Sequence, residues 1–118
     1  MAWSFSSDRP VYLQIAERII KSVLSGEYPL GEQIPTVRQL ALQAAVNPNT
    51  VQRAFQELEN EGIIISKGTL GRFVTQDATV LKACKKRIAK QVINDFATNI
   101  KQLSITKDEV ITMIEEVL

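Results

Sequence analysis

Three amphipathic helical patterns, two extended stretches flanking a turn, and then a tail without glycine or proline succeed one another along 118 residues. That order predicts an α+β, mainly helical chain: a winged helix-turn-helix of three helices plus a β-hairpin wing, followed by a two-helix dimerisation hairpin. The expected division is 1–76 for the winged unit and 77–118 for the helical tail.

Each element has its own signal. Tyr12, Ile15, Ile19 and Val23 recur at spacings of three and four, and Leu13, Ala16, Ile20 and Leu24 widen the stripe. Pro10 suits a first helical position, Ser7 or Asp8 a cap, and Gly26 a left-handed stop, so helix 1 is expected over about residues 10–25. Thr36-x-x-Gln39 is a capping box, in which each side chain satisfies a backbone donor left orphaned at the helix end. Helix 2 then runs from Val37 to about Ala44, with Val37, Leu40 and Ala41 inward. Asn47-Pro48 supplies a cap and a proline preset for the first helical position. Val51, Ala54, Phe55 and Leu58 form the buried stripe of helix 3, which ends at Gly62.

Ile63-Ile64-Ile65 and Arg72-Phe73-Val74-Thr75, on either side of a turn-rich Ser66–Gly71, read as a hairpin. From Asp77 a long helical pattern reaches about Leu103, with Val80, Cys84, Ile88, Val92, Phe96 and Ile100 at steps of four. A second capping box, Thr106-x-x-Glu109, opens a last helix carrying Val110, Ile111, Met113, Ile114 and Val117. Two helices of this length cannot enclose so much apolar surface, and a second copy of the chain is the economical cover. The expected homodimer surface is Leu81, Cys84, Ile88, Val92, Phe96, Ile100, Val110 and Ile114.

Composition excludes several classes. With 45% apolar and 23% charged residues and a net charge of +1, and a mean hydropathy of -0.02, the chain reads as an ordinary globular domain rather than a disordered tail. No run of about 18 apolar residues crosses a membrane, and Met1-Ala2-Trp3-Ser4-Phe5 lacks the regions of a secretory signal. The expected location is the cytoplasm. A single cysteine, Cys84, makes no internal disulfide, and the absence of histidine removes His-dependent triads and the common zinc sites. No phosphate-binding glycine loop is present, and Gly68-Thr69-Leu70-Gly71 lacks dinucleotide-site spacing. No cofactor, metal or catalytic residue is expected. Cys84 stands on the apolar ladder, where a small filler outweighs a redox sensor raised by Lys82, Lys85, Lys86, Arg87 and Lys90. That basic run itself is open between phosphate contacts and the wet face of a helix.

The polar start of helix 3 is the informative feature. Its inward stripe leaves Asn49, Thr50, Gln52 and Arg53 outward beside the capping Asn47. These side chains can bond base edges and phosphates, although a merely solvated face would look the same. Residues 1–76 hold seven basic groups (Arg9, Arg18, Lys21, Arg38, Arg53, Lys67, Arg72) and seven acids (Asp8, Glu17, Glu27, Glu32, Glu57, Glu59, Glu61). Yet Gln33–Gln56 and Gly62–Gln76 contain no acid. Arg38, Arg53, Lys67 and Arg72 are therefore expected on one positive side suited to phosphates.

These motifs carry a resemblance: Pro10-Val11-Tyr12-Leu13-Gln14-Ile15, Leu30-Gly31-Glu32-Gln33-Ile34-Pro35-Thr36-Val37-Arg38-Gln39-Leu40-Ala41, Val46-Asn47-Pro48-Asn49-Thr50-Val51 and Gly71-Arg72-Phe73-Val74. Over about residues 10–75 the chain resembles the GntR family of bacterial transcription regulators, in its short YtrA-type branch. The resemblance implies a dimeric winged-helix repressor of an inverted-repeat DNA operator, often beside genes for an ABC transporter. By position it makes Arg38 a phosphate- and base-contacting arginine, Thr50 a contact of helix 3, and Gly71 the wing-tip glycine. Pro48 and Gln52 stand where arginines often read bases, and Thr69 where a glycine is usual, leaving Asn49, Gln52 and Arg53 as donors. A winged-helix protein docking module without sequence-specific DNA binding is the alternative, distinguished by a shallow dependence of binding on salt. No motif marks an effector pocket.

Overall fold

The computed structural model describes residues 3–118; Met1 and Ala2, where the N-terminal reading begins, lie outside them. Five helices and a two-stranded antiparallel sheet follow in the order α1 (Val11–Leu24), α2 (Val37–Ala44), α3 (Pro48–Asn60), β1 (Ile64–Ser66), β2 (Arg72–Val74), α4 (Ala78–Gln102) and α5 (Lys107–Val117). The chain divides into two compact units, one reaching Lys82 and the other running from Ala83 to Leu118.

In the first unit α3 is the hub. It packs against α1, α2 and β1, and its Val51, Ala54, Phe55 and Leu58 are wholly buried. Ile15 and Ile19 of α1, Leu40 of α2, and Ile63, Ile64 and Val74 close around them. Burial on this scale stabilises by about 1.5–3 kcal/mol for each large apolar side chain. Val37, expected inward, is only half-buried.

Local signals set the helix ends. Thr36 accepts from the Gln39 backbone and the Gln39 side chain accepts from the Thr36 backbone, completing the capping box. Ala45 at φ 57 turns the chain out of α2, and Asn47 Oδ1 accepts from the Asn49 backbone 2.8 Å away, with Pro48 opening α3. The start of α1 differs from expectation. Pro10, at ψ 136, is the N-cap residue rather than the first helical one, and neither Ser7 nor Asp8 caps the helix. Instead Ser6 bonds Asp8, and Gln14 fastens the preceding segment by bonding the backbone of Ser6 and Arg9.

The hairpin pairs Ile64 with Val74, Ile65 with Phe73 and Ser66 with Arg72. A short 3₁₀ turn, Gly68–Leu70, forms its tip, and Gly71 follows at φ 104, a conformation that favours glycine. The loop before α2 runs beside β2: the Ile34 backbone donates to Arg72, that of Val74 to Glu32, and Gln33 bridges to Phe73. This near-third strand escapes sequence reading because Pro29, Gly31 and Pro35 break any alternating pattern.

The second unit holds the rest of α4, and α5, whose N-terminus carries the expected Thr106/Glu109 capping box. α4 and α5 share at most a slight interface, so the expected hairpin is not a closely packed one. Val92, Ile93, Phe96, Ile111, Met113 and Val117 are exposed in the single chain, while Leu81, Ile88, Ile100, Val110 and Ile114 are half-buried. Cys84 is a correction to the expected dimer surface: it is already 3% exposed within one chain, which leaves a partner nothing to touch. Its sulfur accepts from the Arg87 guanidinium at 3.7 Å. Among the described residues no helix is long and apolar enough to cross a membrane.

Candidate nucleic-acid interface

The short α2–α3 connection and the buried stripe of α3 leave the first turns of that helix facing solvent. Asn49, Gln52 and Arg53 are exposed and Thr50 is half-buried. Asn47 is exposed as well, but its side-chain oxygen is committed to the cap, so the amide nitrogen is what it can still offer. Arg38, in the first turn of α2, is also exposed. Side-chain amides, a hydroxyl and two guanidinium groups thus share the neighbourhood of one helix–turn–helix, with the complementarity that base edges and phosphates require.

The four expected cations are not equivalent. Neither Arg38 nor Arg53 has a carboxylate partner among the described residues, but Arg53 lies over the Tyr12 ring, 4.0 Å from its centroid. Lys67 caps the Phe73 ring at 4.6 Å, keeping its ammonium on the wing. Arg72 departs from expectation: Glu59 reaches it from α3 at 2.6 Å, and its guanidinium also rests 5.0 Å from the Phe55 ring. The window from Gly62 to Gln76 contains no acid in sequence, yet a carboxylate thirteen residues from Arg72 occupies it in space. Arg72 is therefore a wing anchor whose charge is largely answered within the chain.

Three residues the sequence did not single out shape this surface. Gln33 donates from Nε2 to the Leu70 carbonyl at 2.9 Å, holding the wing tip from below; a Cβ on Gly71 would meet the same Nε2 at 2.5 Å. Glu59 ties the wing to α3. Tyr12, read as part of a buried stripe, is half-exposed and supports Arg53. No local pattern marks these contacts, since each joins residues from different elements.

Beside α3 lies a notch of about 380 Å³ lined by Pro10, Val11, Tyr12, Asn49, Thr50 and Arg53. A larger concavity of about 710 Å³ follows α1 and includes Trp3, Arg18 and Tyr28; it shares no lining residue with the notch. Burial raises the Tyr28 phenol above its ordinary value. Among the described residues no cluster of carboxylates and cysteine could hold a metal.

Residues 11–74, more than half of the chain, match the family model for bacterial regulatory proteins of the gntR family. The chain belongs to the GntR family. It is 35% identical to the HTH-type transcriptional regulator YhcF of Bacillus subtilis, over 94% of this chain and 92% of that one. It is 30% identical to the HTH-type transcriptional repressor YtrA of the same organism, over 94% and 86%. Its fold follows that of a GntR family transcriptional regulator from Listeria monocytogenes, with a TM-score of 0.87 and 33% identity across 97% of this chain and 100% of that one. The winged helix-turn-helix is thus the DNA-binding domain of a GntR-family transcription regulator, and the chain is not an enzyme.

Proposed function

We propose that this GntR-family chain is a cytoplasmic repressor that binds an inverted-repeat operator as a homodimer. The observation that carries the reading is the exposed start of α3, with Asn49, Gln52 and Arg53 open to solvent, together with an exposed Arg38 in the first turn of α2. The winged unit, 1–76, sets α3 into the major groove, where Asn49, Thr50 and Gln52 read base edges. Arg38 and the amide of Asn47 hold phosphates, and the wing, with Lys67 and Gly71, flanks the groove. The tail, 77–118, supplies the twofold: Val92 and Phe96 of α4 are exposed, and Leu81, Ile88 and Ile100 of the same helix, with Val110 and Ile114 of α5, are half-buried in the single chain. Repression follows from occluding a promoter, and the name of the similar YtrA repressor supports that sense of regulation.

The test is selection of bound duplexes from a random pool, followed by titration of variants on the selected site. Two half-sites related by a dyad are expected. Arg38→Ala weakens binding across sequences and lowers the salt slope by about 1, whereas Gln52→Ala relaxes preference at one base pair per half-site. Wild-type behaviour in both variants means that the assigned face is wrong. Sedimentation measures the twofold: Phe96→Glu with Val92→Glu gives monomers that retain the helical spectrum, and a monomeric wild type removes the dimer from the proposal. A shallow salt slope with no selected sequence points to protein docking instead.

A further inference from the structure

We propose that the notch beside α3 is the seat of a DNA backbone phosphate, and that Tyr12 is the positioning residue that holds Arg53 ready for it. This rests on the DNA-binding reading above and adds to it a residue of α1. Arg53 belongs to the second turn of α3, on the solvent side with Asn49 and Gln52. Its guanidinium, however, lies on the ring of a different helix, 4.0 Å from the Tyr12 centroid. The stack draws the charge off the line that enters a groove and toward the concavity lined by Pro10, Val11, Tyr12, Asn49, Thr50 and Arg53. A side chain in that place meets what borders the groove, which is the sugar-phosphate backbone rather than a base edge.

The chemistry fits a phosphodiester. A guanidinium bonds phosphate oxygens in its own plane while leaving its face free to stack, so the Tyr12 contact and a phosphate contact are compatible. No described acid forms an ion pair with Arg53, in contrast to Arg72 with Glu59 and Arg9 with Glu17. Arg53 therefore combines a stacked geometry with an unanswered charge; Arg18, over the Trp3 ring, does the same but stands on α1, whereas Arg53 stands on α3 with Asn49 and Gln52. Free arginine side chains lose much rotational freedom when they grip a ligand; one already laid on an aromatic ring loses less. Tyr12 contributes through Arg53 and not by touching DNA.

A double-mutant cycle on the selected operator tests this, with thermal melts of every variant alongside. Tyr12→Leu is expected to weaken binding roughly two- to fivefold, the span of an exposed cation–π contact. In an Arg53→Met background the same change is expected to cost nothing, because the group it positions is gone. Arg53→Met alone lowers the salt slope by about 1, and Tyr12→Phe, which keeps the ring, binds as wild type. An equal loss from Tyr12→Leu in both backgrounds, or a loss in Tyr12→Phe as large as in Tyr12→Leu, overturns the proposal. Should Tyr12→Leu not fold, NMR of the intact chain decides. Upfield ring-current shifts of the Arg53 δ-protons and Nε–H are expected, and ordinary shifts for them overturn the stack. A wild type that binds no duplex defeats the DNA reading itself, a result distinct from a failed cycle on a protein that does bind.

Discussion

Replacing Glu59 with glutamine separates two roles that Arg72 can have. In the native chain the carboxylate meets Arg72 Nε at 2.6 Å, with the two side chains 31% and 24% exposed. The pair is thus more sheltered than a surface pair, whose contribution is about 0.2–1 kcal/mol, and less so than a buried pair, where loss of one partner costs about 3–5 kcal/mol. A cost of about 1–2 kcal/mol follows, or a fall of roughly 5–10 °C in the melting temperature of a unit this size. The DNA-binding consequence has the opposite sign. Neutralising Glu59 leaves the Arg72 charge unanswered at the base of the wing, so binding to duplex tightens at low salt and the slope of log K against log salt steepens by about 0.9. Fluorescence anisotropy with a non-specific duplex, across a salt series, reads both quantities. If Glu59→Gln instead binds more weakly with a shallower slope, Glu59 presents Arg72 to DNA and the assignment of Arg72 as an anchor is refuted.

Two other perturbations follow from the same geometry. Thr36→Ala removes the hydroxyl that accepts from the Gln39 backbone and is expected to lower stability by about 1 kcal/mol; an unchanged urea midpoint contradicts the capping role. Asp77 accepts from the Thr79 hydroxyl and backbone, and these bonds hold its carboxyl below the ordinary range near 3.8. Because its folded value is depressed, its stabilising contribution is present above the unfolded value and is lost as pH falls through the folded one. Asp77→Asn should therefore lose less stability than wild type as the pH falls through and below the ordinary aspartate range, and an identical acid profile in thermal melts counts against the assignment.

The boundary between what the sequence reveals and what it conceals follows the distance over which each interaction acts. Thr36 with Gln39, Thr106 with Glu109, and Asn47 with Pro48 are contacts within one turn, so residue order alone specifies them. The α3 stripe is equally legible because the helix period places Val51, Ala54, Phe55 and Leu58 together. Gln33 with Leu70, thirty-seven residues apart, and Glu59 with Arg72, thirteen apart, arise only once α3, the hairpin and the preceding loop have docked. Tyr12 under Arg53 is of the same kind. Counting acids along the chain could place positive charge near the wing, but could not detect a carboxylate arriving from a neighbouring helix. The start of α1 shows a different limit: Ser7, Asp8 and Pro10 all suit a helix entry, yet no side chain caps it, and the preceding segment is instead held by the Gln14 side chain, which donates to the Ser6 and Arg9 carbonyls.

This economy of charge links the two halves of the molecule. The winged unit carries as many acids as bases, and two of its arginines, Arg9 and Arg72, are paired internally. Few cations remain to release counterions, chiefly Arg38, Arg53 and Lys67, so one copy should show a modest salt slope and weak non-specific affinity. Joining two copies makes the second engagement intramolecular and multiplies affinity by orders of magnitude when the spacing of the half-sites matches that of the α3 helices. In the proposed dimer a nearly neutral reading head would therefore gain selectivity from geometry, held poorly by stray duplex and well by a correctly spaced pair of half-sites. In the proposed homodimer, the exposed apolar residues of α4 and α5 would then determine whether the polar start of α3 binds usefully at all.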